Sequence, residues 1–147
     1  MKNRILILLI FILSTTCFAQ KVVTWKDLSK VTFTDKYFPE YDAVFLHPEF
    51  SDSVKVLEGK LISITGYFLN IDPERKMHIL SKGPMSSCFF CGVGGPETAV
   101  ELDLDSNLGY KTDDIVTVTG VLKLNANDVK HFNYILSDCK VKLKEQK

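Results

Sequence analysis

The sequence predicts a mainly β chain: a small five-stranded barrel behind an irregular, partly helical N-terminal extension. Three observations predict it. From residue 59 onward the apolar residues recur with a period of two, the spacing of strands that bury one face. Two of these segments match position by position, Ile62-Ser63-Ile64-Thr65-Gly66-Tyr67-Phe68 and Val116-Thr117-Val118-Thr119-Gly120-Val121-Leu122. Each puts two β-branched residues inward and two hydroxyls outward, followed by a glycine in the inward register. An inward glycine wastes core volume in a flat sheet, but in a coiled strand it permits a sharp bend or the close approach of a neighbour. Third, turn residues separate the segments at Gly83-Pro84, Gly94-Gly95-Pro96, Asn107 with Gly109, and Asn125 with Asn127. Two coiled strands among five close a small barrel most readily.

The 147 residues, 46% of them apolar, suit one domain. Aromatics at 11% and charged residues at 24% exclude a disordered chain. Eighteen basic residues balance eighteen acidic ones, so the basic excess of an electrostatic nucleic-acid binder is missing.

Residues 1–19 read as an export signal. Lys2 and Arg4 precede an apolar run from Ile5 to Leu13, too short for a spanning helix of about 20 residues. Cys17-Phe18-Ala19 puts small residues at −3 and −1 of a cleavage between Ala19 and Gln20. The expected destination is the periplasm or the exterior, with no transmembrane span in the mature chain. Lipid anchoring through Cys17 is a lesser alternative, because the residues before it lack the usual pattern.

Residues 20–58 are expected to wrap around the barrel. Val22 to Trp25 reads as a short extended start, and Trp25, Leu28 and Val31 as one or two helical turns. Pro39 and Pro48 interrupt the stretch beyond Val31. Ser51 caps a short helix carrying Val54 and Leu57, and Gly59 ends it. Trp25, Phe33, Phe38, Phe45 and Phe50 serve as packing anchors. The barrel, residues 59–143, has strands at Lys60–Ile71, Met77–Ser81, Thr98–Leu104, Asp114–Leu124 and Asn133–Leu143, the first two joined by a turn at Asp72-Pro73. Residues 144–147 form a solvated basic tail. Glu97, Glu101, Asp103 and Asp105 make an acidic line, read as the solvated side of an exposed sheet.

The pattern Gly59-Lys60-x-Ile-x-Ile-x-Gly66-Tyr67, the second such glycine strand and the ending Tyr134-Ile-Leu-Ser-Asp-Cys139 resemble an OB-fold. More narrowly, Trp25-Lys-Asp-Leu28, Pro48-Glu-Phe50-Ser51 and Gly59-Lys60 resemble, in their order, a family of uncharacterised secreted or periplasmic bacterial proteins with an OB-like barrel. The resemblance covers roughly residues 22–143. It implies fold and brings no reaction with it. The helix usual between the third and fourth strands of that fold has little room between Asp105 and Asp113.

One stretch carries chemistry. Residues 83–97, GPMSSCFFCGVGGPE, surround Cys88-Phe89-Phe90-Cys91 with four glycines and two prolines, a flexible backbone around two thiols. Three readings stand. Cys88 and Cys91 form a disulfide in an oxidising compartment; or they are half of a metal site, zinc requiring two more ligands from Cys139, His78 and His131; or they are packed thiols. A thioredoxin-like reaction fits less well, because Gly92-Val-Gly-Gly-Pro96 is a poor helix opening and no βαβ unit surrounds the motif. Cys139 is expected to share a buried face with Ile135 and Val141. His78, opposite in direction to Met77 and Ile79, is expected to be an ordinary surface or hydrogen-bonded histidine, as are His47 and His131. Nucleophile elbows, phosphate loops and dinucleotide fingerprints are absent. The expected role is therefore a binding or accessory module for an envelope protein, a peptide or a divalent metal, with a thiol–disulfide redox protein or a disulfide-stapled adaptor as alternatives.

Overall fold

The structure is a computed structural model and describes residues 20–72, 77–104 and 109–145. The proposed signal and its cleavage site at Ala19, the Asp72-Pro73 turn beyond Asp72, Asp105 and the last two residues of the tail lie outside the described residues.

The chain is mainly β. The strands are β1 (Lys21–Val22), β2 (Val31–Phe38), β3 (Ala43–Phe50), β4 (Leu61–Asp72), β5 (Met77–Ser81), β6 (Ala99–Leu102), β7 (Ile115–Leu124) and β8 (Tyr134–Glu145). Two one-turn helices, α1 (Trp25–Leu28) and α2 (Asp52–Lys55), sit in the N-terminal part. The second follows Ser51, whose side chain makes no capping hydrogen bond, and ends at Lys55, short of Leu57; Gly59 comes after it at φ 71°.

The main sheet runs β1-β4-β5-β6-β8-β7, and β7 pairs again with β4. Neighbours in this order are antiparallel except for β1–β4 and β6–β8. The long strand β4 divides its length between two partners. Leu61–Tyr67 pair with β7 and Tyr67–Asp72 with β5. The change of partner falls beside Gly66, where a Cβ would stand 2.5 Å from the Ser81 carbonyl oxygen and 2.9 Å from the Trp25 ring. Gly120 plays the same part on β7. A Cβ there would meet the Ser137 carbonyl oxygen at 2.8 Å. The expected close approach of a neighbouring strand is thus present at both glycines.

The inner face carries the larger core. Ile62, Ile64, Phe68, Leu80, Val100, Leu102, Val116, Val118, Leu122 and Leu136 are buried there, in the expected period-two register. Each aliphatic group so buried stabilises the fold by about 1.5–3 kcal/mol relative to exposure. A second, smaller cluster of Leu69, Ile79, Cys88 and Ala99 lies apart from it. Leu69 and Ile79 alternate with inner-face residues along β4 and β5, so this cluster occupies the outer face.

Four expectations need correcting. Residues 31–50 are an antiparallel hairpin, β2–β3, rather than irregular wrapping. Pro39 opens the 3-10 turn at the hairpin tip, and Asp42 completes it at φ 49°. Pro48 sits inside β3, which pairs with β2 alone among the described residues, so its missing N–H faces away from the ladder. Phe45 is 36% exposed rather than an anchor, whereas Trp25 and Phe50 do pack on the core. β8 continues to Glu145, so Lys144 belongs to a strand and not to a tail. Finally, Cys139 shares its face with Tyr134 and Leu136 rather than with Ile135. Asp138 at φ 53° makes a bulge opposite Gly120, and the bulge reverses the inside–outside parity of the strand.

Candidate functional site

The cysteine loop folds over the outer cluster as three 3-10 turns, Met85–Ser87, Phe89–Cys91 and Pro96–Thr98. It is less free than its glycine content implied. The Lys82 amide donates to the Thr98 carbonyl (3.0 Å) and closes the base of the loop. The Met85 amide donates to Asp113 Oδ1 at 2.7 Å and pins its near side. Cys88 is buried at 2% exposure, with Met85 and Phe89 packed around the same cluster. Cys91, one turn later, is exposed.

The two thiols converge. Cys88 Sγ and Cys91 Sγ each donate to the Met85 carbonyl oxygen at 3.1 Å, and Cys88 Sγ lies 4.0 Å from Met85 Sδ. Both cysteines are free thiols. The Cys91 thiol is held above its ordinary value, first by desolvation and then by the neighbouring Cys88 thiol. The 3-10 turn within the motif, Phe89–Cys91, ends at Gly92 (φ 76°), so no α-helix opens at the motif to stabilise a thiolate.

The other three proposed ligands do not join this pair. Cys139 donates to the Leu136 carbonyl at 3.1 Å on the inner side, and burial and then Asp103 push its thiol up to about 12. His131 Nδ1 lies 2.7 Å from Glu101 Oε1. His78 is buried at 2% exposure rather than at the surface, stacked on Phe68 with ring centroids 5.4 Å apart. No group of three or more His, Cys, Asp or Glu able to hold a metal occurs among the described residues. The physical reason is the sheet itself, which separates the outer loop from the inner His78 and Cys139.

Sequence reasoning missed how the neighbouring connection, residues 125–133, is built. The Asn125 side chain donates to the carbonyls of Asp128, His131 and Phe132 and accepts from the amides of Asn127 and Asp128. Glu101 is not part of a solvated acidic line. Its carboxylate holds His131 and accepts from the Phe132 amide at 3.0 Å, fastening the connection to β6. The hairpin is fastened to it in turn, through His47 Nδ1 and the Ala126 carbonyl at 2.9 Å and through Lys36 Nζ and Asn127 Oδ1 at 3.3 Å.

These three pieces enclose an apolar groove of about 410 Å³. The hairpin contributes Phe38 and Phe45, the cysteine loop Phe89 and Pro96, and the connection His131 and Phe132. Phe89 and Phe132 meet edge to face at 6.5 Å, as do Phe38 and Phe45 at 5.8 Å. Val44 and Leu46 on the hairpin are more than half exposed.

No family model matches the chain, and no curated protein does. A solved structure is similar: a DUF3299 family protein from Pseudomonas aeruginosa PAO1, 14% identical, with a TM-score of 0.56 over 88% of this chain and 99% of that one. That likeness is one of fold. No helix among the described residues is long and apolar enough to cross a membrane.

Burial at His78 has a measurable consequence. His78 Nδ1 has no hydrogen-bond partner among the described residues, and burial holds its pKa below the ordinary 6.5. The unfolded chain therefore binds this proton more readily, and stability falls as pH drops through 6.5 toward the folded value. His131 acts oppositely. Glu101 raises its pKa, so its stabilisation is complete below 6.5 and is lost as pH rises through the folded value. His78→Leu is expected to remove the acid-side loss between pH 7.5 and 5 in urea titrations and to leave the His131 contribution. An unchanged pH profile in that variant would refute the assignment.

Proposed function

We propose that the chain is an exported OB-like binding module that holds an apolar peptide or protein segment in the groove between the hairpin, the cysteine loop and the 125–133 connection. The OB-like reading is supported by the pairing order. Numbered from β4, the strands run first, second, third, fifth, fourth and back to the first, with third and fifth parallel. In that fold the connection between the last two strands commonly lines the binding face, and here it lines the groove. The export reading rests on the composition of residues 1–19.

The observation that carries the binding role is the convergence of Phe38, Phe45, Phe89 and Phe132 from three separate segments on one open, concave surface. A packed core would have closed such a set, and exposed apolar surface of this kind marks an interaction site. The test is a selection from a displayed peptide library, followed by affinity measurements. Enriched peptides are expected to carry apolar anchors and to lose at least about tenfold in affinity with Phe45→Asp. They should bind a Lys142→Asp control unchanged. Peptides that bind Phe45→Asp and wild type equally would overturn the proposal.

A second reading, a Cys88–Cys91 disulfide as staple or redox pair, is favoured by the shared carbonyl acceptor. The raised Cys91 thiol weighs against its redox form.

A further inference from the structure

We infer that Met85, Cys88 and Cys91 form a three-sulfur site for a soft monovalent metal ion, Cu(I). The cluster does not depend on what occupies the groove. Cys88 Sγ and Cys91 Sγ hang on one carbonyl oxygen at 3.1 Å each, so they stand no further apart than twice that distance. The Met85 thioether sulfur lies 4.0 Å from Cys88 Sγ. The three donors come from one seven-residue stretch whose first member is pinned through its amide to Asp113.

The donor set selects the ion. Thiolate and thioether sulfur favour soft cations, and two or three sulfur ligands satisfy Cu(I). Zinc in a structural site takes four ligands, and the described residues bring no third His, Cys, Asp or Glu to this pair. Calcium and magnesium require oxygen ligands. The setting also fits. Cys88 and Met85 lie against the apolar outer cluster, which keeps water from one side, while Cys91 opens the other side to solvent. On binding, the two S–H bonds break and both protons leave to solvent. Two Cu–S bonds form in their place, and the thioether adds a lone pair. Copper stays Cu(I), no electron moves, and the Met85 carbonyl gives up its two thiol donors, a cost the metal bonds must outweigh.

The experiment is an anaerobic titration of the reduced full chain with Cu(I), in competition with bicinchoninate, followed by X-ray absorption at the copper edge. One Cu(I) per chain with a sulfur-only shell is expected. Cys91→Ser changes an exposed side chain and is expected to weaken binding at least about 100-fold, and Met85→Leu about 10-fold with a shell reduced from three sulfurs to two. Phe45→Asp should bind copper like wild type, which separates this site from the peptide groove. Loss of all the copper to the chelator, oxygen or nitrogen in the shell, preference for Zn(II) in a parallel titration, or full binding by Cys91→Ser would each overturn the inference.

Discussion

Gly66→Ala is expected to lower the urea midpoint sharply, by a loss of about 2–4 kcal/mol, at the upper end of what overpacking costs. A methyl group there would stand 2.5 Å from the Ser81 carbonyl oxygen, 2.9 Å from Trp25 and 3.1 Å from Leu80. The two side chains can turn away. The carbonyl cannot, because Ser81 is held by ladder pairs to both Tyr67 and Ala99. Trp25→Leu in the same chain should therefore fail to rescue Gly66→Ala. Two outcomes would show that this close approach tolerates a side chain: a midpoint within about 0.3 M of wild type for Gly66→Ala, at the usual urea slope of about 1–3 kcal/mol per molar, or full rescue by Trp25→Leu. Gly66→Val should leave no cooperative unfolding transition at all.

The residues that made the fold legible were those whose local pattern and tertiary role coincide. Ile62, Ile64, Val116 and Val118 alternate in sequence and face one core in space, and the glycines after them mark close strand approaches. The hairpin was illegible for the converse reason. Val31–Phe38 and Ala43–Phe50 are mostly exposed on both faces, so burial imposes no alternation, and Pro48 resembles a breaker to a reader who cannot see that β3 is an edge. Of the two neighbours the sequence suggests for Cys139, Val141 shares its face and Ile135 does not, because a single bulge residue, Asp138, shifts parity between them without leaving a glycine as its mark. At the candidate site the Cys-x-x-Cys spacing announced two converging thiols. Met85 as a third sulfur, and Asn125 and Glu101 as the scaffold of the groove, depend on contacts across 3 to 31 positions that no local pattern encodes. His78 was legible in direction but not in depth, since a histidine inside a core leaves no periodic signal.

Tyr134→Ala is expected to cost about 3–5 kcal/mol, the range for removing a large buried ring. Tyr134 is fully buried, its ring packs on Phe50 at 5.5 Å, and its hydroxyl donates to the Leu28 carbonyl at 2.6 Å. That hydroxyl joins the end of α1 to β8, across 106 positions. Tyr134→Phe keeps the ring and leaves the Leu28 carbonyl without its donor, so a smaller loss of about 1–3 kcal/mol is expected. The two variants should also differ in where the damage appears. Trp25 is the only tryptophan, and its indole N–H donates to the Thr65 carbonyl at 2.8 Å, so its fluorescence reports docking of the N-terminal segment. In Tyr134→Phe the tryptophan emission should shift to the red at lower urea than the loss of the far-ultraviolet β signal. Such non-coincidence marks a segment that undocks before the sheet unfolds. Coincident transitions at the wild-type midpoint would mean that the hydroxyl contributes nothing, and that α1 is held by Trp25 and Leu28 alone.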